Sequence, residues 1–440
     1  MGEAFITRRS STAKEQKTIF NNTPMVAVKT LQNALSLGRF DMAVASDDEY
    51  IAFLCGLDGY GRPVSNLDIF TRSGQHYVAY WPDELTDMAA VIVNNWLIGI
   101  CGRGSDSVGT KTVKRWHMYN AIRDSGIPIS MSTITQYDPL YGACAAPFDD
   151  GIAVFGGLIA DGQAYDNAWK YSFLNQKDYS NNAGFSALFN LPTPRGFAAM
   201  GKLTSNGVMV CGGINQATNT VYSDVNVIGK SVAGSIGFSS RPALSVAQYK
   251  ATQANIYTQG KTYLLVGLGL TLPKIQGSLV VPARIVPNID VYACASEAQL
   301  QIDNNKHSSF TLPLEGNPTS AVALSFGDCV LYVVGYSNGV TKSKGYLVQL
   351  EPLRITTMEF NFSRNYTQGG VIGKDVGFLT GGNKNGQLST DVEMIQLLRN
   401  VPIYPGMKYK VGSMASEETS NILTLHPLND EIKLSGYMKL

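Results

Sequence analysis

Residues able to act as acid, base, nucleophile or ligand are few and scattered in this 440-residue chain. There are four histidines, His76, His117, His307 and His426, and no two stand within four residues of each other. A metal site on one helix or hairpin needs such close pairs, so this spacing points to no metal centre. His117, inside Trp116-His117-Met118-Tyr119, reads as a strand residue. The six cysteines form no Cys-x-x-Cys pair, and Cys55, Cys101 and Cys211 each precede a glycine in similar contexts. They are expected to be free, buried and apolar in role, as suits a reducing cytoplasm. Asp149-Asp150 are neighbours in a turn, and adjacent carboxylates do not face one another across a substrate as glycosidase acids do. The run Val266-Gly267-Leu268-Gly269-Leu270 lacks the third glycine and the helix of a dinucleotide loop. No Gly-x-Ser-x-Gly elbow or phosphate loop occurs. The Asn-x-Ser/Thr triplets at Asn21, Asn361 and Asn365 have meaning only on a secretory route, and MGEAFITRR has no apolar stretch behind its arginines. The expectation is a protein with no catalytic residue, no cofactor and no metal.

The bulk numbers agree with that direction. Net charge is +1, from 35 Lys and Arg against 34 Asp and Glu, so no field draws a nucleic acid. No run approaches the ~18 apolar residues of a membrane helix, and no membrane insertion is expected. Hydrophobic residues are 44% and charged residues 16%, which excludes a disordered chain. With 44 glycines and 22 tyrosines, the composition is that of many short strands joined by tight turns.

One pattern recurs along the chain. FDDGIAVFGGLIADGQAYDNAWKYSF, residues 148 to 173, runs as turn, apolar strand, glycine pair, polar loop and alternating strand. The same order begins at Ala45, Val93, Thr204, Thr258, Phe326 and Ile372, which makes seven units. The turns are Asp47-Asp48, Asn94-Asn95, Asp149-Asp150, Ser205-Asn206, Gly260-Lys261, Gly327-Asp328 and Gly373-Lys374, residue types suited to hairpins. The first glycines fall at 56, 102, 156, 212, 267, 335 and 381, a loose period near 50. Such a period with about four strands per unit predicts propeller blades. Upstream of each apolar strand lies one of small residues, such as Asp41 to Ala45, Met88 to Ile92, Gly142 to Ala146 and Gly196 to Met200. These suit an innermost strand where units crowd together. In the fifth unit, three prolines between Thr271 and Asn288 predict a long excursion rather than a central strand.

Gly156-Gly157, Gly212-Gly213 and Gly381-Gly382, each after an apolar strand and followed 13 to 15 residues later by an aromatic or aliphatic position, resemble kelch repeats. Only the third unit has both the glycine pair and a tryptophan, Trp169, in place. Read by first glycines, the second glycine is replaced by Leu57, Arg103, Leu268 or Tyr336. The resemblance spans residues 31 to 400 and implies an all-β, kelch-like β-propeller of seven blades, each of four antiparallel strands. An N-terminal strand at Met25 to Val28 is expected to close the last blade, so that no sheet edge stays open. The fold implies no activity. The several His and Tyr ligands of kelch copper oxidases have no counterpart, and the Asp box of sialidases is absent.

The expected organisation is an N-terminal arm over 1–24, with Arg8-Arg9, Lys14 and Lys17, a propeller over 25–400, and a β extension over 401–440 packing on the propeller or a neighbouring subunit. MGEAFITRR and the closing GYMKL resemble structural proteins of bacteriophages and prophages of Gram-positive hosts. The function this implies is a non-enzymatic structural subunit of a virion (tail, neck or appendage), with other structural subunits as partners. The alternatives are an adhesin for host-surface glycan or protein and, less favoured, a propeller hydrolase or oxidase. The loops after the glycines are rich in Asn, Gln, Ser, Thr, Gly and Tyr, a composition that suits recognition. Tyr60, Arg62, Arg103, Tyr165 and Tyr222 are the candidate surface contacts. Arg103 at a ring mouth is suited to a carboxylate, or it pairs with the nearby Asp106.

Overall fold

The computed structural model describes residues 19–21, 24–123, 129–131, 140–149, 151–165, 167–172, 185–204, 207–230, 235–276, 279–281, 283–296, 299–336, 341–384, 387–399, 401–403 and 424–426. The phage-like termini, the arm residues Arg8, Arg9, Lys14 and Lys17, the turn residues Asp150, Ser205 and Asn206, and the side chain of Trp169 lie outside that description. The described chain is all-β. Its one helix, Met118–Arg123, follows directly on the strand that ends at His117, where the sequence suggested only strand.

Seven antiparallel sheets follow one another along the chain, each ordered first strand beside second, second beside third, third beside fourth. The first comprises Ala43–Ser46, Tyr50–Leu54, Val64–Thr71 and His76–Leu85. The tight turns carry the residues that tight turns need. Asn94 and Asn95 have φ of 50° and 62°, the two left-handed positions of a primed hairpin turn. The second strands are the deepest; Gly151–Phe155 and Gly207–Cys211 are buried at every position. Their side chains meet those of the next sheet, as where Ile256 and Leu265 join Tyr332 and Val334 in one cluster. Each such aliphatic side chain stabilises by about 1.5–3 kcal/mol through burial. The excursion at Thr271 to Asn288 contains a short hairpin of Lys274–Gln276 and Leu279–Val281.

The first strands lie side by side in sequence order, and that of the seventh sheet, Gln368–Ile372, lies beside that of the first, Ala43–Ser46. The arrangement is thus cyclic. Met25–Leu31 pairs with Val392–Leu398 in the seventh sheet, Val28 opposite Ile395, which is the closing contact expected of Met25 to Val28. Thr424–His426 pairs along its other side. Ile19–Asn21 pairs with Val401–Ile403 as a separate ribbon.

One backbone device joins neighbouring sheets. In five of the seven units the N–H of the glycine at the second position of the pair donates to a carbonyl just before the next sheet, whereas in the fifth Gly269 N–H donates to Gln248 Oε1 at 2.7 Å. Gly56 bonds Leu85, Gly102 bonds Leu140, Gly157 bonds Arg195 and Gly213 bonds Gln248, at 2.9, 3.1, 2.9 and 2.9 Å. Gly382 of the seventh unit bonds Arg39 of the first at 2.8 Å, completing the cycle.

This geometry corrects the alignment read from the sequence by one residue. The pairs are Cys55-Gly56, Cys101-Gly102 and Leu268-Gly269, so Leu57 and Arg103 follow the pair and Leu268 opens it. The first position is left-handed, with φ of 54° at Cys55, 53° at Cys101 and 57° at Gly156, which a residue with a Cβ can adopt. The second lies at 102° to 116° in the first four units, where only glycine is unstrained. Cys211 pairs with Ala199 as Leu54 pairs with Ala43, so it is not the counterpart of Cys55 and Cys101. All six cysteines are free, and burial pushes the thiols of Cys55 and Cys101 up to about 12.

Buried arginines brace the latch in three units. Arg39 Nε donates to Cys55 O at 2.8 Å, Arg195 Nη1 to Gly212 O at 3.1 Å, and Arg364 Nη1 to Gly381 O at 2.8 Å. Arg39 and Arg364 have buried carboxylates 2.7 Å away, Asp68 and Glu393. Asp68 also accepts from Ser36 N–H and Oγ, both at 2.8 Å, and faces His76 Nε2 at 2.7 Å. Burial works against its charge, but His76, Arg39 and Ser36 together hold the carboxyl below the usual range.

The latch predicts unequal tolerance among glycines. At Gly56, φ is +102° and an added Cβ would sit 2.5 Å from Phe40 O. Gly56→Ala should lower stability by about 1–3 kcal/mol from backbone strain, and further from the clash. Gly61→Asn, at φ +73° in open space, should shift it by less than about 0.5 kcal/mol. Equal denaturation midpoints for the two variants would contradict this account of the latch.

Candidate functional site

The residue entering each first strand turns the chain out of the latch in the left-handed region. Asp41, Asp87, Phe197, Lys250 and Tyr366 have φ of 50°, 52°, 51°, 49° and 52°, and Gly142 takes the same role at 63°. That conformation costs a residue with a Cβ roughly 1–2 kcal/mol, so the larger side chains stand where glycine would be the relaxed choice. Their backbones bond head to tail. Gly142 N–H donates to Asp87 O at 2.9 Å, Phe197 N–H to Gly142 O at 2.7 Å, and Lys250 N–H to Phe197 O at 2.9 Å. This collar sets Asp41, Asp87, Phe197 and Lys250 at the mouth of a central cavity of about 470 Å³. Below it the walls are small residues of the first strands, among them Ala43, Ala89, Ala143 and Ala199.

Two carboxylates and two cations meet at this mouth. Arg103 Nη2 donates to Asp87 Oδ2 at 2.7 Å, and Lys250 Nζ lies 3.6 Å from Asp87 Oδ1. The Arg103 guanidinium sits 4.9 Å from the centre of the Tyr141 ring, and the Lys250 ammonium 4.8 Å from that of Phe197. The two rings meet edge to face with centroids 6.1 Å apart. Burial opposes the charge of Lys250, but Asp41 and then Asp87 outweigh it and raise the pKa above that of an ordinary lysine. Arg103 and Lys250 keep 34% and 38% of their side-chain surface open; Lys250 lines the cavity, and Arg103 joins its mouth through Asp87. Positioned donors, carboxylate acceptors and aromatic faces around a recess can grip a polar ligand at several points.

The five residues singled out from sequence do not form one surface. Tyr60 is 85% exposed, and Arg62 lies over its ring at 4.9 Å while pairing with Asp58 at 2.7 Å. These two form a rim contact on the first loop. Arg103 belongs to the cavity mouth and pairs with Asp87; Asp106 instead accepts from Val108 N–H at 3.0 Å. Tyr165 and Tyr222 are half-buried latch residues, whose N–H groups return to Gly157 O and Gly213 O, both at 2.9 Å. Asp41, Asp87, Tyr141, Phe197 and Lys250 were not singled out. The available signal was a charged or bulky residue at the repeat position held by Gly142, one step before a run of alanines. Arg103 itself stands where other units place Leu57, Leu158, Ile214 and Leu270, each bridging back across the latch. The latch needs no charge there.

Two further clusters hold Ser, Asp and His together. Asp68 contacts Ser36 and His76, and Asp290 contacts Ser245 Oγ at 3.0 Å and His307 Nε2 at 2.9 Å. In each, the carboxylate stands between hydroxyl and imidazole. The imidazole therefore does not face the serine, as a base activating a nucleophile must. These clusters tie the outermost strands of two sheets to buried polar groups. Among the described residues, no three His, Cys, Asp or Glu are grouped to hold a metal ion.

No protein-family model matches the chain, and no curated protein does. Among solved structures it is similar to YjhT, with a TM-score of 0.53 and 11% identity over 74% of this chain and 99% of that one. At that identity the likeness speaks for the fold alone.

The charge arrangement predicts a measurable titration. With lysines ¹³C-methylated and the Lys250 signal assigned through Lys250→Arg, Lys250 should lose its proton at higher pH than exposed lysines. Asp41→Asn and Asp87→Asn should each lower that midpoint, since each removes a carboxylate that favours the charged form. A midpoint unmoved by both substitutions would count against the proposed cluster.

Proposed function

We propose that the seven sheets are the blades of a kelch-like β-propeller, and that the protein is a non-enzymatic structural and interaction subunit of a multi-subunit assembly. The cyclic order of first strands and the latch from Gly382 to Arg39 support the propeller. One observation carries the assembly reading. Both ends of the chain leave the ring at the same sheet and run together, Ile19–Asn21 paired with Val401–Ile403 and Thr424–His426 laid along the closing strand Met25–Leu31. A disc held by a stem made of its own two ends leaves the loop-bearing face and both cavity mouths available to partners. The terminal segments MGEAFITRR and GYMKL lie outside the described residues; their resemblance to phage structural proteins makes a bacteriophage virion the assembly we favour, with the chain made in the host cytoplasm. In particles purified by density gradient from the organism that encodes it, the chain should be present at a fixed copy number. Complete, infectious particles that lack it would overturn this reading.

The Arg103–Asp87–Lys250 mouth favours a second reading, recognition of a host-surface glycan. Sugars present hydroxyls to charged donors and acceptors and a C–H face to aromatic rings, and Phe197 and Tyr141 flank the charges here. On a glycan array the full chain should retain a defined set of glycans, and Phe197→Ala should cut that signal at least about tenfold, as loss of one aromatic contact does. Retention unchanged by Phe197→Ala would place any glycan contact elsewhere.

A further inference from the structure

We propose that the opposite end of the central cavity is a docking pocket for an acidic peptide segment of a partner protein. The inference rests on the interaction-subunit reading and gives it a second, chemically distinct binding site. On that side, where the first-to-second-strand turns lie, the cavity widens to about 890 Å³. Lys202 and Lys374 line it, and among the described residues no carboxylate does. The contrast with the other mouth is direct, since there Lys250 and Arg103 both face Asp87. The remaining lining is uncharged, polar at Ser46, Asn255 and Tyr257 and apolar at Val44, Met200 and Val371, beside the backbone of Gly369 and Gly370. A surface with uncompensated lysines on an uncharged floor favours a ligand that brings negative charge, with hydrogen-bonding groups for its polar part.

The floor supplies the second observation. Gln253 lines both cavities, and its Oε1 and Nε2 are buried without a hydrogen-bond partner. The space it occupies exists because Gly201 has no side chain: a Cβ there would fall 1.5 Å from Gln253 Nε2. A buried amide left unpaired is unfavourable, so a ligand toward which the Gln253 side chain turns, pairing both of its atoms, is favoured. A peptide group offers one acceptor and one donor at the spacing of an amide. The volume lies within the range of sites that enclose extended organic ligands, whereas a lone oxyanion would leave most of it empty. Peptide backbone at Gln253 and acidic side chains at Lys202 and Lys374 satisfy the charge, the amide and the volume at once.

The test uses the full chain and a fluorescent peptide of alternating Asp and Ser, with Lys-Ser and Gly-Ser peptides of equal length beside it. The acidic peptide should bind with the highest affinity, and its affinity should fall as salt rises. Lys202→Met with Lys374→Met should weaken it by about tenfold or more and flatten the salt dependence. Both lysines are exposed, so the double variant keeps its circular dichroism and thermal midpoint. Gln253→Leu should weaken binding while leaving the salt dependence intact. Equal binding of the neutral peptide, or acidic-peptide binding that ignores the lysine substitutions, overturns the proposal. So does inorganic phosphate that displaces the peptide at comparable concentration through the same lysines, which marks a site for a bare oxyanion. None of these outcomes alters whether the chain is built into particles, so the two readings fail separately.

Discussion

The bond from the second glycine of five units to the carbonyl ahead of the next sheet is the constraint on which the molecule depends. Such a bond is worth only about 0.5–1.5 kcal/mol net, but its loss would leave buried N–H and carbonyl groups unpaired, which costs more. Its geometry also propagates. The donor sits near φ 110° in the first four units, so those positions belong to glycine. The acceptor residue must then be followed by a left-handed residue that turns the chain into the innermost strand. Asp87, Gly142, Phe197 and Lys250 bond one to the next along the cavity mouth, and Asp87, Phe197 and Lys250, with Asp41, line it. The charged and aromatic groups at the mouth are therefore positioned by the same stretch of backbone that joins sheet to sheet.

This explains what the sequence disclosed and what it hid. The repeat was legible because hairpin turns, apolar second strands and small first strands each leave a compositional mark at a fixed offset. The closing strand at Met25 to Val28 was legible because a cyclic array leaves one place for it. The register of the glycine pairs was not. A residue with a Cβ can hold the first position, and Cys55, Cys101 and Leu268 do, so aligning by the first visible glycine slips by one in those units. The slip hid Arg103's true position one step beyond the pair. Tyr165 and Tyr222 follow correctly aligned pairs; their loops read as polar and open, and nothing in the composition shows that the backbone returns to the latch there.

The cavity mouth was invisible for a different reason. Asp41, Asp87, Phe197 and Lys250 are far apart in sequence and share no motif; they share only a position in the repeat. At that position Gly142 is what the backbone asks for. Substituting Lys or Phe there brings strain with no gain to the latch, and such strain persists where something other than stability selects it. The same reasoning sets Arg103 apart from Leu57, Leu158 and Ile214. In a repetitive fold, the residues worth attention are those that break the repeat without helping it close.

The seventh sheet joins this ring to the chain ends. Met25–Leu31 is paired along its whole length with Val392–Leu398 and on its other side with Thr424–His426, so the strand that closes the cycle is also the strand the C-terminal segment grips. That strand therefore carries a ladder on each side. The ladder to Val392–Leu398 is continuous with the sheet whose glycine, Gly382, latches onto Arg39 of the first unit. Closure of the disc and attachment of its stem are thus one structural event. Withdrawing the N-terminal strand would unpair the seventh sheet and the C-terminal segment together.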